Sequence, residues 1–483
     1  MNDYFDVIIV GAGISGISAA YHMQKQFPSK SYTVLEARSA LGGTWDLFRY
    51  PGVRSDSDMY TLGFSFYPWR GEDAIADGAD IRAYLEETAV HFGIDKAIRF
   101  NQTVRTANWD KKTARWTLTI ETAAGIETVQ CKFIIMGTGY YSYSAPYQPA
   151  FPNQAAYEGQ IIHPQHWPED LDATGKSIIV IGSGATAASL VPALAKTAEH
   201  VVMLQRTPSY MVARPRQSRL GKWLPRLLPQ ALSAPLLRAL HLRMSRWFYR
   251  WCQRNPKAAA RWIAKGARAH LGQDYEVNPH FSPAYRPWEQ RMCLLPEGDL
   301  YKSIASGKVN MVTDTIQCFT EMGVLCESGM ELAADIIITA TGLNMELLSG
   351  IDLTVDGQPI KLRKTISYKG FMFSGVPNLV HCFGYANASW TLKAELICGY
   401  AMRLLKHMDK QGFDYCVPRS TGILPLGTPV LNLNAGYVLR AAIRMPKQSE
   451  YDPWRVHNDY FTDKKLLKRG RLKDSAMAFE RAG

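Results

Sequence analysis

The sequence predicts an α/β fold with two Rossmann-like units, the second inserted into the first and carrying a helical insertion of its own. Two glycine-rich loops predict it, since each follows an apolar strand and opens a stretch with helical spacing. They are Gly11-Ala12-Gly13-Ile14-Ser15-Gly16 and Gly182-Ser183-Gly184-Ala185-Thr186-Ala187. Two later apolar runs, at 133–139 and 335–342, also end in glycine turns, where a backbone can approach a ligand closely.

The first glycine loop predicts an FAD site. The apolar run Tyr32–Leu35 follows the loop and its helix, and Glu36 stands at the end of that run, twenty residues after Gly16. A carboxylate at this point can accept hydrogen bonds from the two free hydroxyls of an adenosine ribose. The cofactor-binding residues predicted here are Gly11, Gly13, Ser15, Gly16 and Glu36. The alternative is a strand–helix turn without a ligand.

The second glycine loop predicts an NADPH site. The strand after it, Val201–Leu204, ends in Gln205-Arg206-Thr207, and no acid stands there. An arginine can form a charge-assisted, often bidentate bond to a ribose 2′-phosphate, which NADH lacks. The predicted cofactor-binding residues of this loop are Gly182, Ser183, Gly184, Ala185, Thr186, Ala187, Arg206 and Thr207.

Length and composition exclude several classes of protein. A chain of 483 residues with 47% apolar and 20% charged residues is an ordinary globular protein of two or three domains. Its eight cysteines form no Cys-x-x-Cys pair, which argues against a zinc knuckle and against the dithiol of a disulfide reductase, and no metal site is predicted. There is no run of 18 apolar residues and no basic leader, so we expect an intracellular, cytoplasmic protein.

The net charge of +12 is concentrated in one segment. Fourteen Lys or Arg and no Asp or Glu stand between Arg214 and Arg268, so the rest of the chain has 41 cations against 43 anions. Helical spacing within the segment places Trp247, Phe248 and Trp251 among arginines. Two interpretations stay open and can hold together: a helical lid over a substrate channel, or a patch that meets anionic membrane lipid. No nucleic-acid motif accompanies the charge, and no nucleic-acid partner is predicted.

The domain boundaries follow from these patterns. The FAD domain is predicted at 1–145 and 343–445, and the NADPH domain at 146–342 with the basic helical insertion at about 208–290. Residues 446–483 are predicted to be a C-terminal tail. Alternating segments at 104–109, 115–120 and 128–133 predict an antiparallel meander in the first domain.

A longer motif indicates the chemistry. Residues 157–168 read Tyr-Glu-Gly-Gln-Ile-Ile-His-Pro-Gln-His-Trp-Pro. They resemble the Baeyer–Villiger monooxygenase fingerprint, Phe-x-Gly-x-x-x-His-x-x-x-Trp-Pro, with Tyr157 in the place of Phe. Four further stretches, at 42–47, 49–58, 288–291 and 384–393, resemble the ethionamide-activating branch of that family. The resemblance extends over nearly the whole chain.

The resemblance implies an enzyme that uses FAD, NADPH and dioxygen. Its expected reaction is the oxidation of ketones to esters or lactones, together with sulfoxidation of thioethers or thioamides. Two alternatives remain: a flavin monooxygenase that oxygenates nitrogen or sulfur with little ketone activity, or a flavin-binding membrane-surface protein without turnover. The expected partners are a small ketone or sulfur compound and dioxygen, with the peripheral contact to an anionic membrane left open.

The resemblance also implies site residues. Arg291 matches the family's catalytic arginine, and Asp56 matches the aspartate that orients this arginine and the nicotinamide. His163 of the fingerprint is expected to be structural rather than a catalytic base. The remaining predicted cofactor-binding residues are Thr44, Trp45, Asp46, Leu47, Arg54, Ser55 and Val104, with Asp56 also counted among them.

Overall fold

The computed structural model describes residues 3–420, 427–431 and 433–483. Residues 1, 2, 421–426 and 432 fall within the range predicted for the FAD domain and lie outside the described residues. The chain divides into two compact units. Unit 1 comprises 1–46, 82–142 and 345–483, and unit 2 comprises 47–81 and 143–344.

This division differs from the predicted domains in two places. Residues 47–81 belong to unit 2, although the sequence predicted them in the FAD domain. Their packing explains it: a Cβ on Gly52 would overlap the carbonyl oxygen of Ser189, and Arg216 pairs with both Asp73 and Asp77. The predicted tail, 446–483, is part of unit 1 rather than an appendage.

The strands are given in chain order. The first seven are β1 Asp3–Val10, β2 Tyr32–Leu35, β3 Ile98–Arg99, β4 Thr103–Asp110, β5 Arg115–Thr122, β6 Gly125–Met136 and β7 Tyr141–Pro146. The next ten are β8 Gln160–Ile162, β9 Ser177–Ile181, β10 His200–Gln205, β11 Met211–Arg214, β12 Cys293–Pro296, β13 Val309–Thr313, β14 Ile316–Phe319, β15 Gly323–Cys326, β16 Glu331–Ala333 and β17 Ile336–Thr339. The last eight are β18 Leu343–Met345, β19 Asp352–Val355, β20 Gln358–Pro359, β21 Ser367–Tyr368, β22 Met372–Phe373, β23 Leu379–His381, β24 Tyr415–Pro418 and β25 Met477–Glu480.

The α-helices follow the same order. They are α1 Ile14–Gln26, α2 Thr44–Leu47, α3 Met59–Leu62, α4 Gly78–His91, α5 Ala185–Leu194, α6 Arg219–Leu227, α7 Gln230–Arg254, α8 Pro256–Leu271, α9 Asp299–Ala305, α10 Trp390–Gln411, α11 Gly436–Ala441 and α12 Tyr460–Arg469. None of the helices in the described part of the chain is long and apolar enough to cross a membrane.

Unit 1 is built on a sheet of nine strands. Its parallel part runs β3-β2-β1-β6, with β23 also paired to β6, and β4, β5 and β6 form the predicted antiparallel meander. Residues 7–10 of β1 are buried throughout, as expected of a parallel strand covered on both faces. Trp109, Trp116 and Leu118 pack into the core over the meander.

Unit 2 contains a parallel sheet of five strands in the order β13-β10-β9-β17-β8. The core of this unit lies between that sheet and α5, where Ile178, Val180 and Leu190 are buried. The basic insertion, predicted to be helical, folds as α6, α7 and α8. Ser218 caps α6 by accepting a hydrogen bond from Gly221 N.

Candidate cofactor and catalytic sites

The first glycine loop lies in unit 1 where β1 ends and α1 begins. Gly11 has φ +96°, and a Cβ there would lie 2.9 Å from Gly137 O, so the loop can close only with glycine at this position. A Cβ on Gly16 would overlap the carbonyl oxygen of Gly11. Gly13 precedes α1 without a side-chain cap. The first amides of α1 therefore lack a capping side chain, as in helices that bind a pyrophosphate at their N-terminus.

Glu36 lies at the same end of the sheet as this loop. The β1–β2 register pairs Val10 with Leu35, so loop and acid leave their strands side by side. Glu36 Oε2 accepts a hydrogen bond from Ala12 N at 2.7 Å, and Oε1 accepts one from Arg38 N at 2.9 Å. Burial raises the pKa of this carboxyl, and the two backbone N–H groups and Arg38 act in the opposite direction.

A buried polar atom tests whether this loop fits a nucleotide. Thr138 follows Gly137, which packs on Gly11, and its Oγ1 is buried with no hydrogen-bond partner among the described residues. A buried hydroxyl without a partner is costly, and a bound polar group would satisfy it. The glycines, the bare helix start and Thr138 together fit the phosphate and ribose part of FAD. Sequence analysis missed Thr138, although its position between two glycines in 137–139 is a signal that could have found it.

Four of the other residues predicted around the flavin form α2, and Val104 lies in β4. Asp46 is 2% exposed and pairs with Arg38 at 2.6 Å and Arg82 at 3.4 Å, so its carboxylate braces unit 1. Thr44 and Trp45 are partly exposed in the same short helix. Val104 is buried in the core beside the meander, and Leu47 is partly exposed at the end of α2. Their cofactor contacts stay predictions.

The second glycine loop repeats the first in unit 2. Gly182 has φ +144°, a Cβ on it would overlap Ala340 O, and Gly184 precedes α5 without a side-chain cap. The Ser183 hydroxyl donates to Thr207 O at 2.7 Å and accepts from Ser209 Oγ at 3.2 Å. These two bonds hold the end of β10 against the loop. Ser209, which donates to Ser183, was not among the residues predicted from the sequence.

Arg206 follows β10 directly and is exposed. The β9–β10 register pairs Ile181 with Leu204, which brings the residues after β10 beside the loop, as Glu36 is beside the first loop. Within the described residues no carboxylate lies within 4 Å of the Arg206 guanidinium. Its neighbour Gln205 is buried instead and donates from Nε2 to Thr313 Oγ1 at 3.0 Å. An exposed arginine beside a bare helix start fits a doubly charged phosphate ester.

The two predicted catalytic residues meet in unit 2. Arg291 Nε lies 2.5 Å from Asp56 Oδ2, and Arg291 Nη2 donates to Asp56 Oδ1 at 2.8 Å. The side chains are 32% and 28% exposed, so this two-point ion pair remains open to solvent. Cys293, two residues on, is buried, and burial raises the pKa of its thiol to about 12. It therefore stays protonated at neutral pH.

Arg54 and Ser55 are engaged with other groups of unit 2. Arg54 pairs with Asp299 of α9 and donates to Ala188 O of α5 at 3.2 Å. The Ser55 hydroxyl donates to Ser57 O at 2.8 Å and accepts from Ser57 N at 3.0 Å, which forms a local turn beside Asp56. These contacts give both residues a bracing role for the Asp56 segment, and their cofactor contacts stay predictions.

His163 of the fingerprint uses both ring nitrogens within unit 2. Nδ1 accepts from Gln165 N at 3.1 Å, so the proton is on Nε2, which donates to Gly342 O at 3.3 Å. Burial lowers the pKa of this imidazole to about 4. A neutral ring with both nitrogens occupied fits the structural role that the sequence predicted.

Comparisons with known proteins identify relatives of this chain. The sequence model of the flavin-binding monooxygenase-like family matches residues 6–366. The FAD-containing monooxygenase EthA of Mycobacterium tuberculosis is 48% identical over 480 residues, which cover 99% of this chain and 98% of that protein. EthA of Mycolicibacterium smegmatis is 46% identical over 480 residues with the same coverage.

Solved structures share the fold. An oxidized steroid monooxygenase bound to NADP has a TM-score of 0.77 at 22% identity, covering 99% of this chain and 100% of that chain. The polycyclic ketone monooxygenase from Thermothelomyces thermophila has a TM-score of 0.79 at 16% identity, covering 100% and 90%. They confirm the α/β fold with two Rossmann-like domains.

The comparisons also decide several predictions made from the sequence. The predicted family, a monooxygenase activity, and FAD and NADPH as cofactors are confirmed. Since the family model covers most of the chain and EthA matches it from end to end, the chain belongs to the flavin-binding monooxygenase-like family and is a FAD-containing monooxygenase of the Baeyer–Villiger monooxygenase family.

Proposed function

We propose that this enzyme oxidises ketones to esters or lactones, inserting one oxygen atom of dioxygen next to the carbonyl, and that it also oxidises sulfur in thioethers and thioamides. The observation that carries the proposal is the open two-point ion pair between Arg291 and Asp56. It holds a fixed cation in unit 2, the unit that also contains the second glycine loop and Arg206.

Arg291 has the properties that the reaction requires of a catalytic cation. Bound FAD, reduced by NADPH, supplies the activation of dioxygen. When an oxygen nucleophile attacks a carbonyl carbon, negative charge develops on the carbonyl oxygen, and N–H groups of Arg291 stabilise it. A guanidinium stays protonated at any working pH, so it provides charge without releasing a proton. Preorganised charge of this kind often lowers the activation barrier more than any other single effect in an enzyme.

Asp56 fixes the direction in which Arg291 presents its charge. A bidentate carboxylate holds the guanidinium plane in one orientation, which a single hydrogen bond does not do. Arg54 and Ser55 brace the Asp56 backbone through Asp299 and Ser57. We assign Arg291 as the catalytic cation and Asp56 as the residue that orients it.

The cofactor residues complete the proposal. Glu36 binds the adenosine ribose of FAD beside the first glycine loop, with Thr44 and Trp45 contacting the same cofactor. Arg206 binds the 2′-phosphate of NADPH beside the second loop, with Ser183 and Thr207 fixing the end of β10. The geometry of both loops, each with a bare helix start and a strand end beside it, supports these assignments.

Product analysis with the FAD-loaded enzyme tests the proposal. The enzyme is incubated with NADPH, air and a panel of linear, cyclic and aryl ketones and thioethers, and products are identified by gas chromatography with mass spectrometry. We expect esters or lactones from ketones, and NADPH consumption that rises with added ketone. Arg291→Ala should retain FAD and give no ester.

Two results would contradict the proposal in different ways. Sulfoxides without any ester would assign the enzyme to sulfur or nitrogen oxygenation. Hydrogen peroxide as the only product, whichever compound is supplied, would remove the oxygen-transfer function altogether.

A further inference from the structure

The helical insertion of unit 2 exposes an unusual amount of apolar surface. Nine of the seventeen large apolar side chains exposed in the described residues lie within 220–262. We call these nine side chains, together with Arg219, Lys222, Arg226, Arg261, Lys265 and Arg268, the amphipathic face. The nine are Leu220, Trp223, Leu227, Leu232, Leu236, Leu240, Met244, Trp247 and Trp262. Apolar groups gathered in this way mark an interaction surface rather than scattered exposure.

The spacing shows that this surface is separate from the core of the insertion. On α7 the exposed residues 232, 236, 240 and 244 recur every fourth position, so they form one stripe along the helix. Leu237, Phe248 and Cys252 of the same helix are buried. The helix is therefore apolar on both its buried side and part of its outer side. Trp223 and Leu227 continue the outer apolar surface on α6, at 62% and 72% exposure.

Six cations of the amphipathic face have no carboxylate within 4 Å among the described residues. On α6, Arg219, Lys222 and Arg226 are exposed, and within the described residues no carboxylate lies within 4 Å of them. Arg261, Lys265 and Arg268 of α8 are exposed in the same way. In contrast, Arg216, just before α6, pairs with Asp73 and Asp77. The uncompensated charge therefore coincides with the exposed apolar groups.

Tryptophans stand at the α7–α8 end of the face. Trp247 stacks on Trp251 with ring centroids 6.2 Å apart, and Trp262 meets Trp251 edge to face at 6.2 Å. Trp247 is 65% exposed and Trp262 is 50% exposed. Tryptophan prefers the boundary between hydrocarbon and water, where the ring is buried and the indole N–H remains wet.

We propose that the amphipathic face binds the surface of a membrane that contains anionic phospholipid. Leu and Trp side chains of α6 and α7 enter the headgroup region while the Lys and Arg side chains meet lipid phosphates, as in other helices that lie in the interface. A second copy of the chain fits less well, because a symmetric contact would bring this cationic face against itself. The inference does not depend on which substrate is oxidised.

Vesicle flotation of the full-length, FAD-loaded enzyme tests the inference. The vesicles are phosphatidylcholine alone, or phosphatidylcholine mixed with an equal amount of phosphatidylglycerol, at low and at high salt. We expect binding only to the phosphatidylglycerol vesicles, and loss of most of it at high salt, since the Debye length falls from about 10 Å at 0.1 M to about 3 Å at 1 M.

Two variants separate charge from apolar insertion. Replacing Arg219, Lys222 and Arg226 together by glutamine should lower the partition coefficient roughly 100-fold. The double variant Trp223→Gln with Leu227→Gln should weaken vesicle binding but leave the salt dependence of that binding unchanged. The control for the charge variant replaces Lys176, Lys196 and Lys302 by glutamine. The control for the apolar variant is Met322→Gln with Met330→Gln. All five side chains are exposed elsewhere in unit 2. All variants should retain FAD and NADPH oxidation.

Three outcomes would overturn the inference. They are no binding to either vesicle, equal binding to both compositions, and equal loss of binding in the α6 variants and the controls. A fourth outcome concerns the oligomeric state, which is measured by sedimentation of the protein alone, without vesicles. A dimer that Trp223→Gln with Leu227→Gln dissociates, in a protein that does not float, would assign the face to self-association.

Discussion

Arg291 and Asp56 meet through two contacts, Nε to Oδ2 at 2.5 Å and Nη2 to Oδ1 at 2.8 Å, although 235 residues separate them in sequence. Asp56 stands in a loop whose neighbour Arg54 is anchored to Asp299, and Arg291 stands just before β12. The pair is about one third exposed, so its contribution to stability is small, about 0–1 kcal/mol. We therefore expect the pair to orient the Arg291 side chain rather than to hold the fold.

The first prediction separates the charge at position 291 from its geometry. Arg291→Lys keeps a cation, but an ammonium cannot form the two-point contact with Asp56. We expect ester formation to fall roughly 100- to 1,000-fold while FAD content and thermal unfolding stay close to wild type. Ester yield per NADPH consumed is the measurement. Asp56→Asn should shift the same ratio in the same direction, and a wild-type ratio in both variants would refute the orienting role.

The second prediction concerns FAD binding at Glu36. In Glu36→Gln the amide has one acceptor oxygen where the carboxylate has two, so either Ala12 N or Arg38 N loses its partner. We expect the dissociation constant for FAD to rise about tenfold or more, because the ribose hydroxyls lose a charged acceptor, and a hydrogen bond to a charged group is worth about 1.5–3 kcal/mol. Flavin retained after gel filtration, and titration of the apoprotein, measure it. Glu127→Gln, an exposed glutamate of the same unit, should bind FAD normally.

The third prediction tests Arg206 as the 2′-phosphate partner. Arg206→Ala should raise the KM for NADPH about 10- to 100-fold, because a charge-assisted hydrogen bond is worth about 1.5–3 kcal/mol. NADH has no 2′-phosphate, so its KM should change little and serves as the internal control. Initial rates of cofactor oxidation at a fixed concentration of ketone supply both constants. An equal rise for the two cofactors would assign Arg206 a structural role.

Local sequence pattern was enough to predict the strands and glycine loops of the two proposed nucleotide sites. The apolar runs 7–10 and 178–181 are buried strands, and the first glycine after each, Gly11 or Gly182, has a positive φ and a backbone atom too close for a Cβ. Glu36 and Arg206 could be predicted to lie beside the loops because each stands one or two positions after the next strand, and parallel register brings such positions beside the loop.

Contacts between distant segments could not be predicted in the same way. Residues 47–81 follow the first loop without a break in pattern, and only their packing against Ser189, Asp299 and Arg216 assigns them to unit 2. The meeting of Asp56 with Arg291 came from a family resemblance rather than from spacing. Thr138 was missed because its flanking glycines were taken only as a turn, and a threonine carries no charge or periodicity that marks a ligand contact.

The last prediction uses the buried imidazole of His163. Burial lowers its pKa to about 4 in the folded protein, against about 6.5 for an exposed histidine. Above pH 6.5 the ring is neutral in both folded and unfolded chains, so its contribution to the free energy of unfolding does not change with pH. Between pH 6.5 and 4 the unfolded chain binds a proton that the folded chain does not, so the free energy of unfolding falls as the pH is lowered, by on the order of 3 kcal/mol in all.

His163→Gln should reduce the loss of stability between pH 6.5 and 4, because an amide does not titrate and its N–H can still donate to Gly342 O. Urea unfolding, followed by tryptophan fluorescence at a series of pH values, gives the slope of the free energy of unfolding against pH. Some pH dependence will remain, since burial also lowers the pKa of His381 in unit 1 to about 4. His166→Gln, an exposed site three residues away, should behave as wild type, and a His163→Gln slope as steep as that of wild type would exclude His163 as a source of the acid sensitivity.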